Sequence, residues 1–171
     1  MKQSFASLNE KLIGSNISFD EGYLNNPEFQ IILNRYLYDL PLFKKIMDKG
    51  MNKTRRKCRL YYNGSEFIGY IVYVENFMSF NEKRKFLGYE GESFYKTVNL
   101  NDIEIRESIR KNKDNPRYGN IIMNAFISEI QDEWYDGITL QANTEWHIGY
   151  YEKTYGFKDL KDGGNAMVLW F

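Results

Sequence analysis

Two helices are predicted in the first third of the chain, where apolar residues recur at intervals of three and four. Asn26, Pro27 and Glu28 mark the first start, because Asn caps N–H groups, Pro fixes φ and an acid suits the helix dipole. The apolar face comprises Phe29, Ile32, Leu33, Tyr36, Leu37 and Leu40. Pro41 ends this run, and a second helix continues to Gly50 through Leu42, Phe43, Ile46 and Met47. Both helices precede the first predicted strand.

A β-hairpin is predicted around Asn63-Gly64. Apolar and aromatic residues fill 60–62 before this dipeptide and 67–74 after it. Asn-Gly accepts the positive φ angles of a type I′ turn, which joins two antiparallel strands. From Glu75 to Asn99 no period is evident, so this segment is predicted as a long connection with room for one short helix.

The next predicted strand is Asp102 to Arg110. Its alternate positions are Ile103, Ile105, Glu107 and Ile109, so one carboxylate shares a face with three isoleucines. Glu104 lies on the opposite face. A polar loop follows at 111–119, and an amphipathic helix is then predicted from Ile122, Met123, Phe126, Ile127, Ile130 and Trp134.

A second β-α unit completes the pattern. Residues 138–142 form a short strand, and its connection through a helix favours parallel pairing with the preceding strand. Asn143 or Thr144 caps the following helix, which Gly156 ends. The final strand pair is predicted at 157–160 and 166–171. Strands connected through helices in this way indicate an α/β (α+β) fold.

Length and composition favour one domain, 1–171. A chain of 171 residues with 43% hydrophobic and 17% aromatic content can bury a large core. Within it, 1–58 is predicted to hold the N-terminal helices and lead-in, and 59–171 the sheet.

The charge balance indicates which partners the protein can bind, and the cysteine content indicates its cellular compartment. Basic and acidic residues number 23 each, so no global field attracts polyanions, and nucleic acid is an unlikely partner. The single cysteine, Cys58, excludes an internal disulfide and fits a reducing compartment. No secretion signal and no run of about 20 apolar residues is found, so a cytoplasmic protein without membrane segments is predicted.

The segment from Asn143 to Phe157 resembles the closing motif of the GNAT acetyltransferases. In that motif an Asn ends a strand, and a Tyr-Glu-Lys-x-Gly-Phe run ends the next helix. Here Asn143 and Tyr151 are eight residues apart, and Tyr-Glu-Lys-Thr-Tyr-Gly-Phe begins at Tyr151. The resemblance covers roughly 60–171.

The resemblance implies a fold and an activity. The GNAT fold is a mixed central sheet of six to seven strands with a parallel splayed pair, flanked by about four helices. The implied reaction is direct attack of a primary amine on acetyl-CoA. The partners are therefore acetyl-CoA and an amine acceptor, either a small molecule or a protein, and a homodimer is possible.

Residues 116–119 resemble the family's pyrophosphate-binding turn. Aligning Gly119 with its final small residue puts Asp114 where Arg or Gln is usual and Arg117 where the first Gly is usual. Backbone N–H groups at a helix start can still bind a pyrophosphate. The predicted donor-binding residues are Ile109, Arg110, Lys111, Arg117, Tyr118, Gly119, Asn120, Asn143 and Tyr150.

Three residues are candidates for proton transfer. The resemblance gives Tyr151 the role of acid toward the departing thiolate, although its ring could equally serve packing. Glu107 is the first candidate for the base, because desolvation among the isoleucines would raise its pKa. Glu104 competes for that role, as does a water molecule. If the strand ends before Glu107, that residue is an ordinary solvated carboxylate.

Other features keep alternatives open. His147 is predicted to pack beside Trp146 rather than act as a base. The basic run 53–59 is predicted as a solvated loop, with CoA phosphate or RNA as alternative ligands and a lowered thiol pKa conceivable at Cys58. The 75–99 segment is expected to shape the acceptor pocket. The competing functions are a non-catalytic binding protein with this fold and a toxin that acetylates aminoacyl-tRNA.

Overall fold

The computed structural model describes residues 16–36, 40–50, 55–79, 94–160 and 164–171, without the side chains of 40, 48–50, 78 and 79. The strands within these ranges are β1 (Ile17–Tyr23), β2 (Arg56–Asn63), β3 (Glu66–Ser79), β4 (Phe94–Ile105), β5 (Gly137–Gln141), β6 (Lys158–Asp159) and β7 (Ala166–Trp170). The helices are α1 (Pro27–Asn34), α2 (Leu40–Gly50), α3 (Glu107–Lys111), α4 (Tyr118–Asp132) and α5 (Glu145–Tyr155).

The described strands form one mixed sheet in the order β1-β2-β3-β4-β5-β7-β6. β4 and β5 are the parallel pair, in register from Thr97 opposite Gly137 to Leu100 opposite Leu140. β1 with β2, β5 with β7 and β6 with β7 are antiparallel. The predicted mixed sheet of six to seven strands with a parallel pair is confirmed. The described ranges contain five helices rather than about four, because α3 is an additional short helix.

The prediction that two helices precede the first strand is wrong. β1 comes before α1 and pairs with β2 from Ile17 opposite Asn63 to Tyr23 opposite Lys57. The predicted cap of the first helix is confirmed, since Asn26 Oδ1 accepts a hydrogen bond from Glu28 N at 2.8 Å. That helix ends at Asn34 rather than at Pro41.

The predicted hairpin is confirmed, but its turn is different. Gly64 and Ser65 are the two loop residues between β2 and β3, and Gly64 has φ +60°. Asn63 and Ser65 have no positive φ. A positive φ at the first loop residue alone is the pattern of a type II′ turn, whereas type I′ needs it at both.

The strand predicted at Asp102 to Arg110 is too long. β4 ends at Ile105, and Arg106 N donates to Ile68 O at 2.7 Å before the chain turns into α3. Glu107 and Ile109 are therefore helical. The connection predicted from Glu75 to Asn99 is also revised, because 75–79 belong to β3 and 94–99 to β4, and the remainder lies outside the described residues.

The chain forms two compact units, one of Met1–Tyr73 with Asp102–Phe126 and one of Val74–Asn101 with Ile127–Phe171. In the first unit, α1 and α2 cover one face of the strands. The buried cluster on that face comprises Leu24, Phe29, Leu33, Leu42, Ile46, Cys58, Leu60, Tyr62, Phe67, Tyr70 and Val72. In the second unit, Phe157, Met167 and Val168 are buried with the first four residues of β5.

In the basic run 53–59, the residues from Arg56 onward belong to β2 and are not a solvated loop as predicted. Lys53 lies outside the described residues, whereas Cys58 and Arg59 are fully buried in β2. Burial raises the pKa of the Cys58 thiol, so the lowered value considered for it is wrong. Arg59 contacts the Glu21 carboxylate on β1 and lies over the Phe19 ring at 4.6 Å. These residues have structural contacts rather than a free cationic surface.

No helix within the described ranges combines the length and the apolar character that crossing a membrane requires.

Gly69 allows β3 to approach β4 closely. A Cβ atom at this position would lie 2.2 Å from the Glu104 carbonyl oxygen and 3.0 Å from Ile105 Cα. Both obstacles are backbone atoms, so they cannot move aside as a flexible side chain would. The spacing of the two strands at this point therefore depends on glycine.

We expect Gly69→Ala to lower the free energy of unfolding by about 1–3 kcal/mol or more, as overpacking does in other cores. Urea denaturation measures this. Gly119→Ala is the matched control, because a Cβ there would meet only Ile105 Cγ1, at 3.8 Å. Equal stabilities for the two variants would contradict the prediction.

Candidate functional site

In the first unit, the loop between α3 and α4 is held by its own hydrogen bonds. The Asn112 side chain accepts from Asp114 N at 3.1 Å, and its carbonyl accepts from Asn115 N at 3.2 Å. Asn115 Nδ2 donates to the Ile109 carbonyl at 3.2 Å. These contacts fix the path of the chain into the start of α4.

The first turn of α4 uses most of its backbone donors internally. Tyr118 N donates to Pro116 O at 2.8 Å, and the N–H groups of Asn120 and Ile121 both donate to Arg117 O. The Gly119 N–H has no partner among the described residues. Fewer donors are thus available for an anion than the sequence predicted.

Gly119 leaves open space at the start of α4. The φ of this residue is not positive, and an added Cβ would make only an ordinary contact with Ile105. Neither backbone conformation nor packing therefore requires glycine here. An unpartnered N–H group, open space and the positive end of the α4 dipole fit a bound phosphate or pyrophosphate.

The other predicted donor-binding residues of this unit differ in accessibility. Tyr118 is buried, and its hydroxyl accepts from Asn63 Nδ2 at 3.0 Å. Ile109 is buried in α3. Arg117 is exposed and Asn120 is partly buried. The side chains of Tyr118 and Ile109 therefore serve packing, while Arg117 can reach a ligand.

Glu107 does not have the environment predicted for a base. It is exposed on α3, and its carboxylate contacts Lys111 Nζ at 2.6 Å. The hydrogen bond from Lys111 and the charge of that residue hold the pKa of Glu107 below its usual value, opposite to the predicted direction. The physical reason is that β4 ends two residues earlier, so no isoleucine face desolvates this carboxyl.

Glu104 lies between two cations. Its Oε2 is 3.1 Å from Lys45 Nζ on α2, and its Oε1 is 3.9 Å from Arg110 Nη1 on α3. The Glu104 side chain is 20% exposed, whereas those of Lys45 and Arg110 are 55% and 62% exposed. The carboxylate is thus mostly shielded from solvent, whereas both cations are largely exposed.

A cleft of about 200 Å³ opens at this cluster. Its charged lining consists of Lys45, Glu104, Glu107 and Arg110, and its apolar lining of Pro41, Leu42 and Ile105. The structure therefore brings both predicted carboxylates and the predicted Arg110 to one cleft. Lys45 was not predicted as a site residue, because its partner Glu104 is 59 positions away in the sequence.

In the second unit, α5 has both predicted ends. Thr144 is its N-cap, with the hydroxyl accepting from His147 N at 3.4 Å, and Gly156 ends it with φ +80°. Asn143 precedes the cap and is exposed. Because Thr144 caps the helix, the Asn143 amide is not occupied by that role.

Aromatic rings pack along α5. Trp146 and Tyr150 stack with centroids 5.5 Å apart and planes at 5°. Tyr150 and Tyr155 hydroxyls are 3.1 Å apart, and burial together with this hydrogen bond raises the pKa of Tyr155. Tyr151 is partly buried, with its ring 5.8 Å from that of Phe157. The Tyr151 ring therefore packs against the end of the helix.

His147 has the packing position predicted for it. Its ring meets that of Trp146 edge to face at 5.0 Å, and Nδ1 lies 2.7 Å from the Thr144 hydroxyl. The imidazole therefore contacts residues at the start of its own helix.

No protein-family model and no curated protein sequence matches the chain. Several solved structures do. The crystal structure of a bacterial toxin has a TM-score of 0.56, with 14% identity and 90% of each chain covered. A KacTA–DNA complex has a TM-score of 0.51, with 13% identity and coverage of 90% of this chain and 92% of that one. AtaT complexed with acetyl-methionyl-tRNAfMet has a TM-score of 0.49, with 16% identity and coverage of 90% and 94%.

The first two of these likenesses show the fold, and the predicted GNAT fold is confirmed. At such low identity they show no substrate. The prediction that nucleic acid is an unlikely partner gains no support from them, since one of the two is a complex with DNA.

Proposed function

We propose that this chain, which has the GNAT fold, transfers an acetyl group from acetyl-CoA to a primary amine. The observation that carries the proposal is the start of α4, where Gly119 combines an unpartnered N–H with open space. A phosphate-bearing donor is the kind of ligand that such a helix start binds.

Acetyl-CoA, when bound, supplies an acetyl group activated as a thioester. The amine nitrogen forms a bond to the carbonyl carbon, and the carbon–sulfur bond breaks. The amine loses one proton to a base, and the sulfur gains one from an acid. The products are an N-acetyl amide and CoA.

In this proposal, residues of the first unit bind the acetyl-CoA donor and accept the proton of the amine. The Gly119 N–H binds a pyrophosphate oxygen, and the exposed Arg117 adds positive charge. Glu104 is preferred over Glu107 as the base, because it lines a cleft and is mostly shielded from solvent. Glu107 is exposed and already paired with Lys111.

Residues of the second unit take the remaining predicted roles. Tyr151 Oη holds the proton that the leaving sulfur takes, which suits a phenol. The Asn143 amide, exposed and not needed as a cap, hydrogen-bonds the pantetheine chain. Tyr150 supports Tyr151 through its ring contact at 5.5 Å.

The alternative of a toxin that acetylates aminoacyl-tRNA is not preferred. It needed the basic run 53–59 to face an RNA acceptor, and in the described part of that run Arg59 is fully buried, Arg56 and Lys57 are half-buried and Arg55 is exposed. The alternative of a non-catalytic protein predicts that acetyl-CoA either does not bind or binds without turnover.

Calorimetric titration with acetyl-CoA, and separately with CoA, tests the proposal. We expect binding by the wild type and a loss of about tenfold or more, which is about 1.4 kcal/mol, in Gly119→Ala, because the new methyl group fills the open space. Asn124→Ala is the control, as this exposed residue lies in the middle of the same helix. A wild type that binds neither compound would refute the proposal.

A further inference from the structure

We infer that the acceptor bound in the cleft of Lys45, Glu104 and Arg110 is a small zwitterion, an aliphatic α-amino acid, rather than a simple amine. This inference rests on the proposed function and deepens it, since it names the class of acceptor. Three observations carry it: the charges of the cleft, their exposure, and its size and apolar wall.

The charges of the cleft are balanced rather than acidic. Among the described residues, the lining carries two negative groups, Glu104 and Glu107, and two positive groups, Lys45 and Arg110. A plain ammonium ion would have to displace Lys45 and Arg110 from Glu104 and would leave both cations without their contact to that carboxylate. A ligand with its own carboxylate supplies that contact, so both ends of a zwitterion are compensated.

The cations can exchange partners at little cost. Lys45 and Arg110 are more than half exposed, and their contacts with Glu104 are 3.1 and 3.9 Å long. Exposed ion pairs of this kind contribute about 0–1 kcal/mol to stability. The side chains can therefore turn to a ligand carboxylate, while the mostly shielded Glu104 remains to meet the ammonium group.

The size of the cleft sets the size of the ligand. Its volume of about 200 Å³ is below the range of about 300–1,000 Å³ that drug-sized ligands occupy. Pro41, Leu42 and Ile105 give it an apolar wall, against which an aliphatic side chain can pack.

L-Leucine and two analogues test the inference directly. L-Leucine methyl ester keeps the amine and lacks the carboxylate, and N-acetyl-L-leucine keeps the carboxylate and lacks the amine. Binding is measured by calorimetry, and turnover by release of the CoA thiol from acetyl-CoA. We expect L-leucine to bind and to be acetylated, with each analogue binding about tenfold more weakly or worse.

Variants identify the residues responsible. Lys45→Met and Arg110→Met keep the apolar stems and should abolish the preference for leucine over its ester. Glu104→Gln should weaken the binding of the ester as well. Lys44→Ala is the control, because this neighbouring lysine is exposed and does not line the cleft.

The outcomes separate the inference from the proposed function. Equal or tighter binding of the ester, in a protein that binds acetyl-CoA and acetylates amines, would overturn the zwitterion and leave the acetyltransferase intact. Absence of acetyl-CoA binding would instead refute the proposed function. Leucine binding that Lys45→Met and Arg110→Met leave unchanged would also overturn the inference, because the ligand would then lie elsewhere.

Discussion

Replacing Glu21 by alanine is expected to lower the free energy of unfolding by about 1–3 kcal/mol, the range seen when a buried polar group loses its hydrogen-bond partner. Glu21 is the carboxylate partner of Arg59, whose side chain is fully buried. Burial acts to lower the pKa of Arg59, but the contacts with Tyr73 and Glu21 outweigh it and hold that pKa above its usual value. The guanidinium therefore stays charged and needs its counterion.

Aromatic rings surround the Arg59 guanidinium. The guanidinium lies over the rings of Phe19, Tyr73 and Phe126 at 4.6, 5.4 and 5.4 Å. Aromatic faces attract a cation, but they accept no strong hydrogen bond from its N–H groups. Tyr73 would also lose the acceptor of its hydroxyl, which now donates to Glu21 Oε2 at 2.6 Å.

Urea denaturation provides the measurement, with two comparisons. Glu66→Ala removes an exposed glutamate from β3 and should change stability by no more than about 0.5 kcal/mol. The double variant Glu21→Ala with Arg59→Met should recover much of the loss, because no buried charge is left unpaired. A single Glu21→Ala variant as stable as Glu66→Ala would show that the pair contributes little.

Tyr151→Phe is expected to reduce kcat about 100-fold or more while leaving the fold unchanged. Loss of a general acid commonly slows a reaction by about 10²–10⁴-fold. The change removes only the hydroxyl, so the ring contacts with Tyr150, Tyr155 and Phe157 at 5.5, 6.1 and 5.8 Å are kept. The variant therefore tests the role of the hydroxyl in proton transfer without changing the packing of the ring.

The matched variant is Tyr155→Phe, which removes a hydroxyl from the same aromatic group. That hydroxyl contacts Tyr150 and has a raised pKa, so it is a poor proton donor. We expect its loss to affect stability more than kcat. Initial rates of CoA release and thermal unfolding of both variants give the answer, and unchanged turnover in Tyr151→Phe would return Tyr151 to a packing role.

The strand β1 could not be found from its own residues. Its burial alternates only weakly along Ile17–Tyr23, and it lies at the edge of the sheet. Its position depends on pairing with β2 and on the contact of Glu21 with a residue 38 positions away. The hairpin and the β5 to α5 unit were predictable because their turn and cap signals are local.

The end of β4 was mispredicted for a related reason. Ile105 and Ile109 are four residues apart, a spacing that fits both a strand and a helix. Over five residues the two periods cannot be distinguished, and the last contact of this segment with β3, the hydrogen bond from Arg106 N to Ile68 O, joins residues far apart in the sequence. The prediction that Glu107 is a desolvated base was wrong for the same reason, since the environment of Glu107 depends on where β4 ends.

The helix that carries Tyr151 has no fully buried side chain between Glu145 and Tyr155. Its order therefore depends on the Thr144 cap, the Gly156 end and half-buried rings rather than on a core. Segments of this kind open on their own, with a free energy well below that of global unfolding. Amide hydrogen exchange in α5 would then be governed by local opening. A ligand that binds only when α5 is folded binds more weakly, because part of its binding free energy is used to order the helix.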